Sequence, residues 1–385
     1  MRLEFREHNH FDLLVRGAAY FPLLIAAIEL ARDEVLLETY LYEDDATGRA
    51  VTSALCAAAR RGVRVHVLVD GFGARHLAEG FRSQFAQSSV QLLVFRPLKF
   101  AWSQRVPQLR RMHRKLAVID ASIAFVGGIN IIDDLSDLGS EKGELPPRLD
   151  YAVQVRGPLV ADIALSARRL WAYAALTWLK RPWDWPTAPP PPPPAGTMRA
   201  ALAVRDNLRR RHLIQSAYLA AIYRSREDII LAHAYFLPGR RLLRALCQAS
   251  ARGVRVRLLL QGRPDHPLLH YATLSLYDKL HMAGIELYEY RASHLHTKVA
   301  AIDGHWATVG SSNIDPFSLV LAREANVVIE NAQFCATLRA SLEAEIAAGA
   351  VRLRHDQPRS WFERLKIRLS YAIVRAIAGS VGFRV

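Results

Sequence analysis

Arg61-Gly62-Val63-Arg64-Val65 recurs as Arg252-Gly253-Val254-Arg255-Val256, and the same tripeptide leads each copy at the same spacing, Ala54-Leu55-Cys56 and Ala245-Leu246-Cys247. Upstream of each lies a strand-like run, Glu34 to Tyr40 and Asp228 to Phe236; downstream lies another, Val63 to Val69 and Val254 to Leu260. Strand, helix, glycine turn and strand, in that order, predict a βαβ unit with parallel strands and a crossover helix covering the sheet. Its duplication predicts an α/β chain in two copies. The 385 residues are long enough for two medium domains or one large duplicated one.

Between the copies stand Pro182-Trp183-Asp184-Trp185-Pro186 and then six consecutive prolines, Pro189 to Pro194. Proline lacks an N–H and holds φ fixed, so this stretch is neither helix nor central strand. It reads as a polyproline spacer on the surface. The expected organisation is a first lobe over 1–180, a linker over 181–198, a second lobe over 199–350 and a tail over 351–385.

Each copy then delivers one constellation at one spacing. The first is His113-x-Lys115-x4-Asp120-x6-Gly127-Gly128-x-Asn130; the second is His296-x-Lys298-x4-Asp303-x6-Gly310-Ser311-x-Asn313. In both, His and Lys head an apolar run that reads as a strand. Residues two apart on a strand point to the same face, so each imidazole stands beside its ammonium. A single His-x-Lys on a strand is commonplace; two matched copies with the same trailing Asp, Gly and Asn are a functional signal.

The residue types suit phosphodiester chemistry. A phosphodiester is anionic and repels nucleophiles, so cations must hold its oxygens as charge develops. Lys115 and Lys298 fit that task, with the side chains of Asn130 and Asn313. A neutral imidazole can attack phosphorus while a protonated one donates to the leaving alcohol. The pattern asks for no metal and no cofactor.

At these residues the chain resembles the phospholipase D superfamily, whose hallmark is the HxKx4D motif in duplicate, and the resemblance runs from about Phe11 to about Phe334. Closer still, it resembles bacterial cardiolipin synthases of the short type, which lack N-terminal membrane spans. The stretches that carry this include Leu36-Leu37-Glu38-Thr39 with Asp45 and Gly48, Asp70-Gly71-Phe72-Gly73, Arg205-Asp206-Asn207 and Ser311-Ser312-Asn313-x-Asp315-Pro316. The resemblance implies two lobes, each a mixed β-sheet flanked by helices, related by a pseudo-two-fold axis with the active site between them. It implies His113, Lys115, Asp120, His296, Lys298 and Asp303 as catalytic residues, with an acid orienting each histidine: Glu324 in Arg323-Glu324-Ala325-Asn326, and Asp150 as its first-half counterpart. It also implies His113 as the nucleophile. Met112, Gln215 and Ala322 depart from the family pattern.

Charge and apolar patterning bear on partners. Lys plus Arg exceed Asp plus Glu by 15 (51 against 36), which suits an anionic bilayer or nucleic acid. The segment Phe95 to Trp102 and on to Arg111 interleaves aromatics with cations. Over 351–385 the tail has eight Lys or Arg against two acids. Within it Trp361, Phe362, Leu365, Leu369, Ala372, Ile373 and Ala376 fall on one helical face, with Arg364, Arg368 and Arg375 opposite; this is the pattern of an interfacial helix. Cys56, Cys247 and Cys335 form no CxxC pair, as in a reducing compartment. No signal pattern opens the chain, and the longest apolar run, Gly17 to Ile28, is too short to cross a bilayer. The expected partners are phosphatidylglycerol, with phosphatidylethanolamine as an alternative second lipid, and an anionic membrane surface, rather than nucleic acid. The expected place is the cytoplasmic face of the cell membrane, bound peripherally. Hydrolysis to phosphatidic acid and a nuclease activity are the competing readings.

Overall fold

The computed structural model describes residues 3–75, 77, 79–97, 110–135, 145–177, 186–206, 210–263, 266–354 and 360–380. The aromatic and basic residues over 98–109, Asn207 and the linker residues 181–185 lie outside them. In chain order the first half runs β1 (Phe5–Val15), α1 (Arg16–Glu29), β2 (Glu34–Thr39), α2 (Ala46–Arg60), β3 (Arg64–Asp70), α3 (Glu79–Gln87), β4 (Gln91–Phe95), β5 (Leu116–Ile119), β6 (Ile123–Gly127), β7 (Tyr151–Arg156) and α4 (Leu159–Thr177). The second half begins β8 (Met198–Arg205), α5 (Leu213–Arg224), β9 (Asp228–His233), α6 (Arg240–Ala251), β10 (Arg255–Gln261), α7 (Pro267–Leu274) and α8 (Tyr277–Met282). It ends β11 (Glu286–Tyr290), β12 (Lys298–Ile302), β13 (Trp306–Gly310), β14 (Glu324–Glu330), α9 (Ala332–Gly349), β15 (Ala350–Arg352) and α10 (Trp361–Ser380).

The repeated Arg-Gly-Val turn has a backbone cause. Gly62 and Gly253 close α2 and α6 with φ of 93° and 90°, a region that residues with a Cβ rarely enter. The chain reverses there into β3 and β10, which pair in parallel with β2 and β9 as the βαβ reading requires. All residues of β2 and β9 are buried, which accounts for their near-continuous apolar character rather than an alternating one.

The 15 strands of the described residues join one sheet. Outward from the β1–β8 seam, one side reads β1-β7-β6-β5-β2-β3-β4 and the other β8-β14-β13-β12-β9-β10-β11, with β15 added at the far edge. The pairings match in sense as well as order: antiparallel from the seam as far as β2 and β9, then parallel. That correspondence is the pseudo-two-fold relation, and each half is a mixed sheet flanked by helices.

At the seam the two strands meet over a few residues with a register shift between Arg6 and Asn9, and β6 and β7 lie against β13 and β14. One buried cluster therefore draws on both halves, with Leu36, Val118 and Val153 beside Ile230, Val299 and Val327. The helices α4 and α9 contribute Ile163 and Leu338 to it. Outer clusters pack α1 and α2 on the first half-sheet and α5 and α6 on the second. The halves thus share a core as well as a sheet. The prolines Pro189 to Pro194 form neither helix nor strand, and the linker rejoins the fold where the Ala195 N–H donates to the His8 carbonyl at 2.9 Å.

The tail helix uses a face other than the one its spacing advertised. α10 packs on α7 through Ile367, Val374 and Ala378, which are buried, while every residue of the expected apolar face, from Trp361 to Ala376, stays exposed.

Candidate active site

Each motif sits at the head of a strand and is stitched to the opposite half. The His113 N–H donates to the Arg323 carbonyl at 2.9 Å, and the Arg323 N–H to the Arg111 carbonyl at 2.7 Å. In the second copy the His296 N–H donates to the Leu149 carbonyl at 2.8 Å, and the Leu149 N–H to the His294 carbonyl at 2.9 Å. Strand alternation places His113 and Lys115 together and sends Arg114, between them, to the other side, where it forms a buried ion pair with Glu38 at 2.9 Å.

The acids cross over. His113 Nδ1 lies 3.0 Å from Glu324 Oε1, and His296 Nδ1 lies 2.7 Å from Asp150 Oδ2. Each histidine is held by the carboxylate of the other half, so neither copy contains a complete site. A carboxylate on Nδ1 selects the tautomer that carries its proton there and leaves a lone pair on Nε2. Both imidazole side chains are 18% exposed and so remain reachable.

The electrostatics are those of one shared site. Burial lowers the pKa of His113, Lys115 lowers it further, and Glu324 opposes both. Burial and then Lys298 hold His296 well below the ordinary imidazole range. Burial also pulls Lys115 well below the usual ammonium range, with Glu324 opposing and Lys298 adding to the drop. Burial pushes Asp150 up, countered first by Lys298. Each histidine feels both lysines, which places the two motifs in a common field.

The lysines and asparagines are also brought together, with differences. Lys115 Nζ donates to the His113 carbonyl at 2.8 Å and lies 5.3 Å from the Tyr40 ring centroid. Lys298 Nζ donates to the His296 carbonyl and lies 2.8 Å from His296 Nδ1. Asn130 accepts from the Leu41 N–H at 3.1 Å; Asn313 is buried, and among the described residues its Oδ1 has no partner.

Asp120 and Asp303, expected among the catalytic set, are not at the site. They end strands β5 and β12 at the far side from Lys115 and Lys298, about 15 Å away by strand rise. Asp120 accepts the N–H groups of Arg32, Asp33 and Glu34 at 2.9, 2.8 and 2.8 Å. Asp303 accepts those of Arg226, Glu227 and Asp228 at 2.7, 2.9 and 3.1 Å. Both carry φ of 49°. Their work is to tie the entry of β2 and β9 to the strand beside it, which sets the register of the motif strands.

Other residues quoted for the resemblance turn out to be supports. Asp70 is fully buried and accepts from Phe72, Gly73 and Met112 N–H groups at 2.8, 3.2 and 2.8 Å; it fixes the approach to His113. Met112 is buried in an apolar cluster with Leu68 and Phe95, so its departure from a polar residue has no reach into the site. Asp45 caps α2 through the Gly48 N–H at 2.8 Å and takes the Asp133 N–H at 2.7 Å, steadying the loop after Asn130. Arg205, paired in register with Glu324 across β8 and β14, donates to the Ala322 carbonyl. The Tyr40 ring, one residue past β2, meets His113 edge-on at 4.8 Å, a contact that the spacing of a tyrosine after a strand does not signal. Among the described residues no three His, Cys, Asp or Glu converge as a metal-ligand set, and no helix is long and apolar enough to cross a membrane.

A family model described as cardiolipin synthase, PLD-like domain, matches residues 24–141 and 218–346, one segment in each half. Cardiolipin synthase B of Escherichia coli is 38% identical over 100% of this chain and 92% of its own length. Cardiolipin synthase A of Pseudomonas putida is 31% identical over 85% of this chain and 66% of its own. Among solved structures, a phosphatidylserine synthase of Haemophilus influenzae superposes with a TM-score of 0.74 at 12% identity, covering 98% of this chain and 96% of that one; at that identity the likeness concerns the fold.

Proposed function

Because the chain belongs to the cardiolipin synthase family of phospholipase D-like phosphatidyltransferases, we propose that it makes cardiolipin by moving a phosphatidyl group from phosphatidylglycerol, through a phosphohistidine on His113, to the headgroup hydroxyl of a second phospholipid. The observation that supports this most is the crossed pairing of His113 with Glu324 and His296 with Asp150. It puts two imidazoles in one field, each with its Nδ1 against a carboxylate.

His113 Nε2 attacks phosphorus, a new N–P bond forms, and the P–O bond to the glycerol headgroup breaks. His296, protonated, gives its proton to the departing oxygen. The acceptor hydroxyl then returns a proton to His296 as its oxygen bonds phosphorus and the N–P bond breaks. Lys115 and Lys298 hold the non-bridging oxygens, with Asn130 beside them and Asn313 in the matched position. Both lysines depress His296, and an anionic phosphodiester lying between the ammonium groups offsets that field, so the substrate itself brings His296 to its acidic form. Phosphatidylglycerol is the proposed acceptor, because its headgroup carries the hydroxyl; phosphatidylethanolamine, whose headgroup ends in an amine, is the alternative second lipid as donor, with ethanolamine leaving in place of glycerol. The enzyme works peripherally at the cytoplasmic face of an anionic membrane.

The test is incubation with labelled phosphatidylglycerol and product analysis for wild type, His113→Ala and His296→Ala. Cardiolipin with release of glycerol is expected from the wild type, and a loss of about 10⁴-fold or more from each variant. The His296→Ala protein should trap the phosphatidyl adduct on His113. Phosphatidic acid as the sole product assigns hydrolysis instead, and an adduct on His296 reverses the roles.

A further inference from the structure

Helix α10 carries two apolar stripes. The inner one, Ile367, Val374 and Ala378, is 7%, 0% and 1% exposed against the second half. The outer one runs Trp361, Leu365, Leu369 and Ile373, spaced by four along a single line, and these are 74%, 44%, 55% and 49% exposed. Phe362 widens it, at 53%. Docking on its own fold explains the first stripe and, among the described residues, leaves the second without a partner.

The rim of that stripe is basic. Arg364, Lys366, Arg368 and Arg375 are exposed, and Glu363 is the one acid between Trp361 and Ser380. Two clefts adjoin the helix. One, of about 510 Å³, is lined by Arg354, Arg364 and Arg368, against the single acid Asp278, with Tyr277 and Ile367. The other, of about 500 Å³, is lined by Arg240, Arg244 and Lys279 with Leu243, Leu276 and Tyr371. Apolar side chains flanked by cations, with cationic clefts adjoining the same helix, match a surface that is apolar below and anionic above. A second copy of the chain fits poorly, since pairing the stripe with itself sets like-charged rims against each other.

We propose that α10 seats the protein on an anionic bilayer: the helix lies in the membrane plane, its outer stripe enters the headgroup boundary, and the two clefts receive lipid phosphates. The choice of a bilayer as occupant rests on the proposed lipid substrates. The position suits them. α10 packs on α7, which follows closely on β10, and the last residue of β10, Gln261, accepts the N–H of Leu295 at 3.1 Å, next to His296. The docking face is one helix away from the chemistry.

The experiment is co-sedimentation of the full chain with phosphatidylglycerol or phosphatidylcholine vesicles at low and high salt, with circular dichroism and light scattering in parallel. Replacing the outer stripe (Trp361→Ser, Leu365→Ser and Leu369→Ser together) should lower partition onto phosphatidylglycerol vesicles by about tenfold or more, because the apolar face supplies the insertion. Turnover should fall on vesicles and persist on detergent-dispersed phosphatidylglycerol. A second variant, Arg240→Glu with Arg244→Glu, leaves α10 intact; it should lose binding to phosphatidylglycerol and retain what phosphatidylcholine binding there is. Full vesicle binding by both folded variants overturns the proposal. So does a stripe variant that converts a dimer to a monomer with vesicle binding unchanged, which assigns the stripe to a second copy. Binding is read without turnover, so a chain that docks through α10 yet makes no cardiolipin counts against the proposed reaction and not against the anchor.

Discussion

His113 and His296 occupy matched places in the two halves, but their surroundings differ. The first is held by the longer acid, Glu324, whose carboxylate also takes the Ser311 hydroxyl at 2.5 Å; Tyr40 covers its ring. The second is held by the shorter acid, Asp150, which also takes its neighbour Tyr151's N–H at 2.8 Å, and Lys298 stands 2.8 Å from its Nδ1. Gly128 replaces Ser311 beside Asp150. A Cβ there would come within 2.3 Å of the carboxylate, so the shorter acid and the missing side chain belong together. Duplication supplied the motif twice, and the two imidazoles differ in what lies against them, an aromatic ring on His113 and an ammonium group on His296.

The largest effect expected from breaking this comparison lies in the crossed acids. Glu324→Gln and Asp150→Asn should each cut turnover by about 10²–10⁴-fold, since an amide no longer selects the Nδ1–H tautomer. The first should slow adduct formation and the second should slow both protonation and breakdown. Rapid-quench measurement of the adduct separates them; equal effects on both steps would erase the assigned roles.

Exchange of the small residues comes next. Gly128→Ser should displace Asp150 and cost about 100-fold, approaching the Asp150→Asn defect, whereas Ser311→Gly removes one hydrogen bond from Glu324 and should cost about tenfold. Steady-state kinetics on the same lipid give both numbers. A harmless Gly128→Ser would mean that the carboxylate has room the geometry denies it.

A third comparison concerns Asp120 and Asp303. Replacing either with Ala removes three charge-assisted backbone hydrogen bonds and should destabilise the fold by about 2–4 kcal/mol. Denaturant melts should show this while turnover per folded molecule stays near the parent value. A selective loss of turnover at full stability would return these residues to the chemistry.

The smallest effect is a contrast in pH dependence. In the second half, burial pushes His233 down to about 3, with Lys298 adding to the drop. The unfolded chain then binds more protons than the folded one below about pH 6.5, so this residue removes stability as pH falls, by at most about 1.4 kcal/mol per unit. In the first half, burial pushes Glu38 up to about 7 against the pull of Arg114. Here the folded state binds the extra proton, so stability is gained as pH falls from about 7 toward 4.5. His233→Gln should flatten the acid loss and Glu38→Gln should steepen it, read as the slope of unfolding free energy between pH 7 and 5.

Much of this was legible in the sequence because it is local. The Arg-Gly-Val turns, the apolar runs around them and the His-x-Lys spacing each depend on residues a few positions apart, where strand and helix periodicity act directly. They predicted the βαβ units, the side-by-side His and Lys, and the duplicated architecture. The same periodicity identified the outer stripe of α10, whose spacing is a property of one helix. It could not show that another stripe of that helix docks on α7, since burial depends on what lies opposite. Nor could spacing reveal that Glu324 serves His113 across 211 residues and Asp150 serves His296 across 146, or that the shared aspartates of the motif hold strand ends. Those assignments follow from folding the two half-sheets against each other about β1 and β8, which exchanges the acids between the copies and carries Asp120 and Asp303 to the opposite end of the strands.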